Sequence, residues 1–218
     1  MLKQEQMDRI EDCGVVAIIR AKSSAELIDV AAAIKEGGVN VIEVTMTTPD
    51  ALQVISDVSK KYGDEVLIGV GSVLDAETAR AAILSGAEFV VSPVVKQDVI
   101  EMSRRYSKVV MPGAFTPTEI LTAWEMGADY VKVFPSSLGG ASYIKAVKAP
   151  LPQIPLVPTG GVTVENAGEF IKAGSATLGV GSSLVSKEVV AERQFDVLTE
   201  TARKLIQEVQ KARNEMEG

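Results

Sequence analysis

The sequence predicts an α/β protein built on parallel strands, and three observations lead to this prediction. Eight short segments are almost continuously apolar, as expected of parallel strands that are covered on both faces. A segment with helical periodicity follows each of them. Nothing in the 218 residues resembles a linker or a low-complexity stretch that would divide the chain. Eight βα units in a chain of this length fit a (β/α)8 TIM barrel. We therefore predict a single barrel domain spanning residues 1–218, with a short helix before the first strand.

The predicted strands follow one another at regular intervals along the chain. They are Val15–Arg20, Val39–Met46, Val66–Val73, Phe89–Val94, Val109–Phe115, Tyr130–Phe134, Leu156–Gly160 and Ala176–Leu184. Residues that favour helix N-termini precede the helical segments, and glycines that favour helix C-termini follow several of them. The clearest helices are Ala25–Glu36, Asp50–Lys60, Ala76–Leu84 and Pro117–Met126, and a last helix is predicted from about Val189 to Glu215.

A doubly wound open sheet is the rival prediction, because it shares the alternation of strands and helices. The strand count of eight favours the barrel. The first predicted strand, Val15–Arg20, is also not followed by the Gly-x-Gly-x-x-Gly turn that is typical of many doubly wound folds.

The composition narrows the possible functions. The chain has a net charge of −7 and no long basic run, so we expect no nucleic-acid or membrane partner. It contains no histidine, which excludes a Ser-His-Asp triad and a zinc site with an imidazole ligand. The single cysteine, Cys13, suits a reducing compartment, and we predict a cytoplasmic protein in which Cys13 is a core residue without a catalytic role.

Two charged residues lie inside otherwise apolar strands. Alternation along a strand turns Lys132 toward the barrel axis, together with Tyr130 and Phe134. The same alternation turns Glu43 and Thr45 inward from the second strand. Burial of Lys132 disfavours the cation and makes a neutral amine available, which is what a Schiff-base nucleophile needs.

Lys132 and Glu43 are predicted to lie at the same height on opposite walls. The segment Gly38–Val44 aligns without gaps to Gly127–Val133, and this weak internal repeat makes the two residues equivalent. The second and sixth strands face each other across an eight-stranded barrel. A carbon acid held between the two side chains would meet an imine-forming amine and a proton acceptor. A buried structural ion pair is the alternative.

Two glycine clusters follow the last two predicted strands. Pro158–Gly161 and Gly179–Ser183 occupy the places where barrels of this kind usually bind phosphate through backbone N–H groups. Ordinary turn glycines are the alternative interpretation. Arg20 ends the first strand, next to the eighth in a closed barrel, where it would add a charge-assisted contact. A surface salt bridge is the alternative role for Arg20.

Several motifs resemble those of the class I 2-keto-3-deoxy-6-phosphogluconate (KDPG) and 4-hydroxy-2-oxoglutarate (KHG) aldolases. The resemblance extends from about Gly14 to Leu184, with the motifs in order and at compatible spacing. The motifs are Glu43-Val44-Thr45, Ser92-Pro93, Pro112-Gly113 with Thr116–Glu119, Lys132–Pro135 and Pro158–Val162.

The resemblance implies a metal-independent Schiff-base aldolase that needs no cofactor and assembles as a homotrimer. It implies that Lys132 forms the imine with pyruvate and that Glu43 transfers protons. It also implies a substrate that is a 2-keto-4-hydroxy acid, with a phosphorylated sugar acid expected. The substrate-binding residues that we predict are Arg20, Thr45, Ser72, Pro93, Phe134, Thr159, Gly160, Gly161, Gly181 and Ser182.

Three departures from the family pattern concern the aldehyde partner. Thr47 stands where the family often has an arginine, Ser72 replaces a common threonine, and Val180 replaces the first glycine of a common Gly-Gly-Ser-Trp run. One alternative function is therefore a pyruvate aldolase with another aldehyde, such as glyoxylate. The other alternative is a barrel kept as a non-catalytic assembly module.

Overall fold

The computed structural model describes residues 1–217. Its strands are β1 (Val15–Ile19), β2 (Val41–Thr45), β3 (Leu67–Gly71), β4 (Phe89–Val91), β5 (Val109–Met111), β6 (Gly113–Ala114), β7 (Val131–Val133), β8 (Leu156–Pro158) and β9 (Leu178–Val180). Its helices are α1 (Lys3–Cys13), α2 (Ser24–Glu36), α3 (Ala51–Tyr62), α4 (Ala76–Leu84), α5 (Gln97–Arg105), α6 (Pro117–Glu125), α7 (Gly140–Lys148), α8 (Val164–Lys172), α9 (Lys187–Ala191) and α10 (Phe195–Glu217). Short 3₁₀ turns occupy Gly63–Glu65 and Ser136–Leu138.

The strands form a closed parallel barrel. Hydrogen bonds join β5-β4-β3-β2-β1-β9 and β6-β7-β8 in two runs. Only Pro112, which has no N–H to donate, separates β5 from β6, so these two segments form one barrel strand. A bridge between Thr159 and Gly179 joins the end of β8 to β9. The nine segments thus make the eight strands of the predicted (β/α)8 barrel, and the rival open sheet is excluded.

Helix α1 closes the end of the barrel at which the strands begin. Gln6 and Ile10 of this helix are fully buried. The Gln6 amide accepts a hydrogen bond from the Val109 N–H (3.1 Å) and donates one to Glu88 (2.9 Å). The Tyr130 hydroxyl donates to the Glu11 carboxylate at 2.8 Å. The inward face of the strand that carries Lys132 is therefore plugged from below, and the opposite end of the barrel is the open one.

The predicted last helix, Val189–Glu215, is wrong as a single element, because the chain forms α9 and α10 instead. Ser186 caps α9 by accepting the Val189 N–H (3.4 Å). Arg193 then adopts a left-handed backbone conformation with φ of 54°, which an α-helix does not tolerate. The bend between the two helices is the physical reason for the difference.

All eight predicted strands extend beyond the observed ones, and for two of them the structure shows the reason. The predicted Val109–Phe115 is interrupted at Pro112. The predicted Ala176–Leu184 contains only β9, because Gly181 begins a tight turn. The Gly181 carbonyl there accepts hydrogen bonds from the N–H groups of Leu184 (3.0 Å) and Val185 (2.9 Å). None of the helices within residues 1–217 is long and apolar enough to cross a membrane.

Candidate active site

A cavity of about 420 Å³ opens at the carboxyl ends of the strands. The structure brings every predicted site residue to its wall. They are Arg20, Glu43, Thr45, Ser72, Pro93, Lys132, Phe134, Thr159, Gly160, Gly161, Gly181 and Ser182. Five further residues line the cavity that are not among the predicted site residues: Ile18, Val162, Thr163, Gly179 and Ser183. Alternation along β1 places Ile18 on the same face as Arg20, so this signal was present in the sequence.

Lys132 lies in the middle of β7 and reaches the cavity from the barrel wall. Its side chain is only 8% exposed. The amine is 5.4 Å from the centre of the Phe134 ring, a distance at which an ammonium group is attracted by the ring face. Among the described residues, Lys132 forms no ion pair. The alternative of a structural ion pair with Glu43 is therefore not what the structure contains, and the amine is left available to a ligand.

Glu43 lies in β2 and is 2% exposed. The strand pairs its backbone with Ile18 of β1 and Gly69 of β3. Two residues further along β3, Gly71 provides the space that the Glu43 side chain occupies. A β-carbon at position 71 would lie only 1.7 Å from the Glu43 Oε1 atom. The missing side chain at Gly71 thus allows the carboxylate to take its observed position.

The hydroxyl groups of Thr45 and Ser72 line the same cavity at the ends of β2 and β3. The Thr45 and Thr47 hydroxyl groups are hydrogen-bonded to each other at 2.8 Å. Ser72 adopts a left-handed backbone conformation, with φ of 60°, where β3 leaves the barrel. Such a conformation costs about 1 kcal/mol or more for a residue other than glycine, and it is concentrated at functional sites. Ser72 therefore contributes a polar group to the wall at an energetic cost.

The turn from Thr159 to Thr163 has the properties of an anion-binding loop. The Gly160 carbonyl accepts the Ser136 hydroxyl (2.7 Å), and the Gly161 carbonyl accepts the Asn166 side chain (2.8 Å). The N–H groups of Gly160 and Gly161 make no hydrogen bond with another described residue. The loop leads directly into α8, whose first residue is Val164. Fixed carbonyls, unpaired N–H groups and a helix N-terminus favour a bound anion.

Positive φ values explain the glycines of this turn. Gly160 and Gly161 have φ of 88° and 79°, conformations that L-residues rarely adopt. A β-carbon at Gly161 would also lie 2.7 Å from the Ser137 Cβ atom. These conformational and steric constraints explain why two consecutive glycines occur where β8 meets α8.

Arg20 lies on the rim of the cavity, at the end of β1. It is exposed and forms no ion pair with any residue that the structure describes. A surface salt bridge, the alternative role for this residue, is therefore absent from the described part of the chain. Thr47 lies outside this cavity and lines a neighbouring one, to which Arg20 also contributes.

Within residues 1–217, no group of three or more Asp, Glu or Cys side chains is arranged to hold a metal ion. The Lys132 amine and the Glu43 carboxylate line one cavity, so the arrangement can supply a nucleophile and a proton-transfer group to the same bound molecule. Burial of both groups strengthens their electrostatic effect on a bound molecule.

The fold and the cavity define the class of the protein: a (β/α)8 barrel with a small-molecule site at the carboxyl ends of its strands. The sequence model of the KDPG and KHG aldolase family matches residues 7–201. The chain therefore belongs to the KDPG and KHG aldolase family, whose members are lyases.

Individual relatives support this assignment. The chain is 38% identical to the 2-dehydro-3-deoxy-6-phosphogalactonate aldolase of Escherichia coli K12 over 180 residues, 82% of this chain and 88% of the relative. It is 32% identical to the 2-dehydro-3-deoxy-phosphogluconate aldolase of Treponema pallidum, covering 93% of this chain and 95% of the relative. A crystal structure of the KDPG aldolase of Legionella pneumophila, with pyruvate captured as a covalent carbinolamine, superimposes with a TM-score of 0.85. It is 26% identical and covers 92% of this chain and 97% of that structure.

Proposed function

We propose that the protein is a class I aldolase that cleaves 2-keto-3-deoxy-6-phosphogluconate to pyruvate and glyceraldehyde 3-phosphate. The observation that carries the proposal is the buried Lys132 amine, without an ionic partner, in one cavity with the buried Glu43 and below a glycine-rich anion loop. The carbinolamine in the Legionella pneumophila relative supports the same chemistry here.

In the proposed reaction, the neutral Lys132 amine adds to the C2 ketone of the substrate. Glu43 transfers protons as the carbinolamine loses water and becomes a protonated imine. The C4 hydroxyl then gives its proton to the Glu43 carboxylate, the C3–C4 bond breaks, and its electron pair forms the C2–C3 enamine. The aldehyde leaves. Glu43 returns the proton to C3, and addition of water to the resulting imine releases pyruvate and regenerates the amine.

In this proposal, different parts of the cavity wall contact the pyruvate half and the phosphate of the substrate. Phe134 and Pro93 enclose the pyruvate half, and the Ser72 and Thr45 hydroxyls contact its polar atoms. The loop at Thr159–Gly161 and the turn at Gly181 and Ser182 hold the phosphate, and Arg20 adds a positive charge at the rim. Each of these residues lines the cavity.

A second candidate substrate is 2-dehydro-3-deoxy-6-phosphogalactonate, which differs from the first in the configuration at C4. The 38% identity to the Escherichia coli phosphogalactonate aldolase favours it. To decide between the candidates, we measure the rate of pyruvate release from each of three acids. These are the two phosphorylated acids and 4-hydroxy-2-oxoglutarate. If the unphosphorylated acid is cleaved as efficiently as the others, the assignment of the phosphate loops is wrong.

The first experiment is mass spectrometry after incubation with pyruvate and borohydride. We expect one reduced pyruvate adduct on Lys132 in the wild type and none in Lys132→Ala. Lys148→Ala is the matched control, because Lys148 is a partly buried lysine that lies outside the cavity, and burial lowers its pKa. An adduct that survives in Lys132→Ala, or no adduct on the wild type, would overturn the imine mechanism.

Assembly and location are further parts of the proposal. We propose a cytoplasmic homotrimer, on the family resemblance. Size-exclusion chromatography with light scattering measures the oligomeric state. The alternative is a barrel kept as a non-catalytic assembly module. It would be supported if the protein self-assembles but releases negligible pyruvate from all three acids.

A further inference from the structure

A second cavity lies beside the candidate active site, behind the end of β1. Its volume is about 550 Å³, which is within the size range of small-molecule sites. We call it the β1 side cavity. Ile19 and Val30 lie at its floor and are 1% exposed, and Val190 of α9 forms one side. The cavity therefore has an apolar floor, lies between β1, α2 and α9, and is distinct from the barrel interior.

Three cations surround this apolar floor: Arg20, Lys22 and Lys187. All three are exposed, and none forms an ion pair with another residue in the described part of the chain. The one carboxylate on the wall, Glu26, accepts the Lys22 backbone N–H at 2.8 Å. The chain as a whole is acidic, so this local excess of positive charge stands out against the net charge of −7.

We propose that the β1 side cavity binds a small amphipathic anion, a carboxylate on a short hydrocarbon body, and that this anion competes with substrate phosphate for Arg20. The hydrocarbon lies against Val185 and Val190, above the buried Ile19 and Val30, and the carboxylate lies among the three cations. Burial of the hydrocarbon contributes most of the binding free energy, and the three cations favour an anion over a neutral molecule.

Arg20 connects the side cavity to the active site, because it lines both. A guanidinium that pairs with a carboxylate in the side cavity is withdrawn from the phosphate loops. The anion therefore weakens binding of a phosphorylated substrate without touching Lys132. This part of the inference rests on the proposed function, whereas the occupancy of the side cavity does not.

The experiment titrates the protein with hexanoate and follows the chemical shifts of the backbone amides. We expect shifts around Val190 and Lys187. Val190→Trp fills the cavity with an indole and abolishes these shifts, whereas Ala191→Trp, on the next and exposed residue outside the cavity, leaves them unchanged. Hexan-1-ol, which lacks the charge, binds more weakly. Lys187→Gln weakens hexanoate binding about two- to fivefold, as expected of one exposed charge.

A second measurement addresses the coupling through Arg20. Hexanoate raises the KM for the phosphorylated acid and leaves kcat unchanged, and this effect disappears in Val190→Trp but not in Ala191→Trp. No shifts with hexanoate, or equal shifts in wild type and Val190→Trp, overturn the site. An unchanged KM with the site occupied overturns the coupling. If the sugar acids are not cleaved at all, the proposed function fails, and the titration still decides the site.

Discussion

At the scale of single residues, Gly71 positions the Glu43 carboxylate, the candidate proton-transfer group, because it has no side chain of its own. The Glu43 carboxylate occupies the space in which a side chain at position 71 would lie. Both residues lie on neighbouring strands whose register is fixed by the ladder between β2 and β3. The carboxylate therefore has to move if Gly71 gains a β-carbon.

We expect Gly71→Ala to lower kcat by about tenfold to a hundredfold, part of the 10²–10⁴-fold that general acid–base catalysis contributes. The pyruvate adduct on Lys132 is still trapped, because the amine is untouched. Gly168→Ala is the control, because its β-carbon would meet nothing closer than 3.6 Å. Equal rates for Gly71→Ala and wild type would contradict the positioning role.

Removing the carboxylate itself is the complementary change. We expect Glu43→Gln to slow turnover by about 10²–10⁴-fold, because the amide neither accepts nor returns the proton. The folded structure is retained, since the amide has nearly the same shape. Single-turnover release of pyruvate measures the effect. A variant with the wild-type rate would remove Glu43 from the mechanism.

At the scale of elements, α6 begins with a capping box immediately after the strand end at β6. The Glu119 carboxylate accepts the N–H groups of Phe115 (3.0 Å) and Thr116 (2.8 Å) and the Thr116 hydroxyl (2.9 Å). In return, the Thr116 hydroxyl accepts the Glu119 N–H at 3.3 Å. These hydrogen bonds to the charged form hold the pKa of Glu119 below its usual value.

We expect Glu119→Gln to lower the free energy of unfolding by about 0.5 kcal/mol at neutral pH, since the group is exposed. A depressed folded-state pKa stabilises the protein above the unfolded-state pKa. This stabilisation is lost as the pH falls through the folded-state value. Urea unfolding at neutral pH and below about pH 4 should therefore show the difference from wild type shrinking in acid. Glu125→Gln, at the other end of α6 and outside the capping box, is the matched control.

The elements that the sequence predicts well are those with a local signal. Helix Ala76–Leu84 matches α4, because Asp75 caps its first turn and its apolar spacing is regular. The break between α9 and α10 has no such signal, because the left-handed backbone at Arg193 depends on packing and not on a glycine. By contrast, the end of β5 can be predicted from the sequence, because Pro112 has no N–H with which to continue the strand pairing.

The same distinction applies to the site. Strand alternation was enough to place Lys132 and Glu43 inward, because burial on both faces fixes the register. The role of Gly71 as the space for a neighbouring side chain involves two strands, and only the barrel shows it. The β1 side cavity is formed by β1, α2 and α9, so no single stretch of sequence contains its signal.

At the scale of the whole molecule, the barrel is open at one end and plugged by α1 at the other. Gln6 is the polar anchor of the plug. It is fully buried, and its side-chain oxygen accepts the Val109 N–H of β5. Cys13, the last residue of α1, is buried, and its thiol lies 3.1 Å from the Val15 carbonyl. Removal from water raises the pKa of this thiol. The reactive thiolate is therefore scarce in the folded protein, and reaction at Cys13 requires the plug to open.

This arrangement predicts how Gln6→Ala affects the reaction of Cys13 with a thiol reagent. The substitution leaves the buried Val109 N–H without its acceptor, which costs about 1–3 kcal/mol. If α1 opens as a unit, the labelling rate follows the population of the open form and rises by about 5- to 150-fold. Gln4→Ala on the same helix is the matched control, because Gln4 is exposed and its side chain bonds only to Asp8 within the helix. Its labelling rate should equal that of the wild type. Immediate labelling of the native wild-type protein, or equal acceleration by both variants, would show that α1 does not control access to the lower end of the barrel.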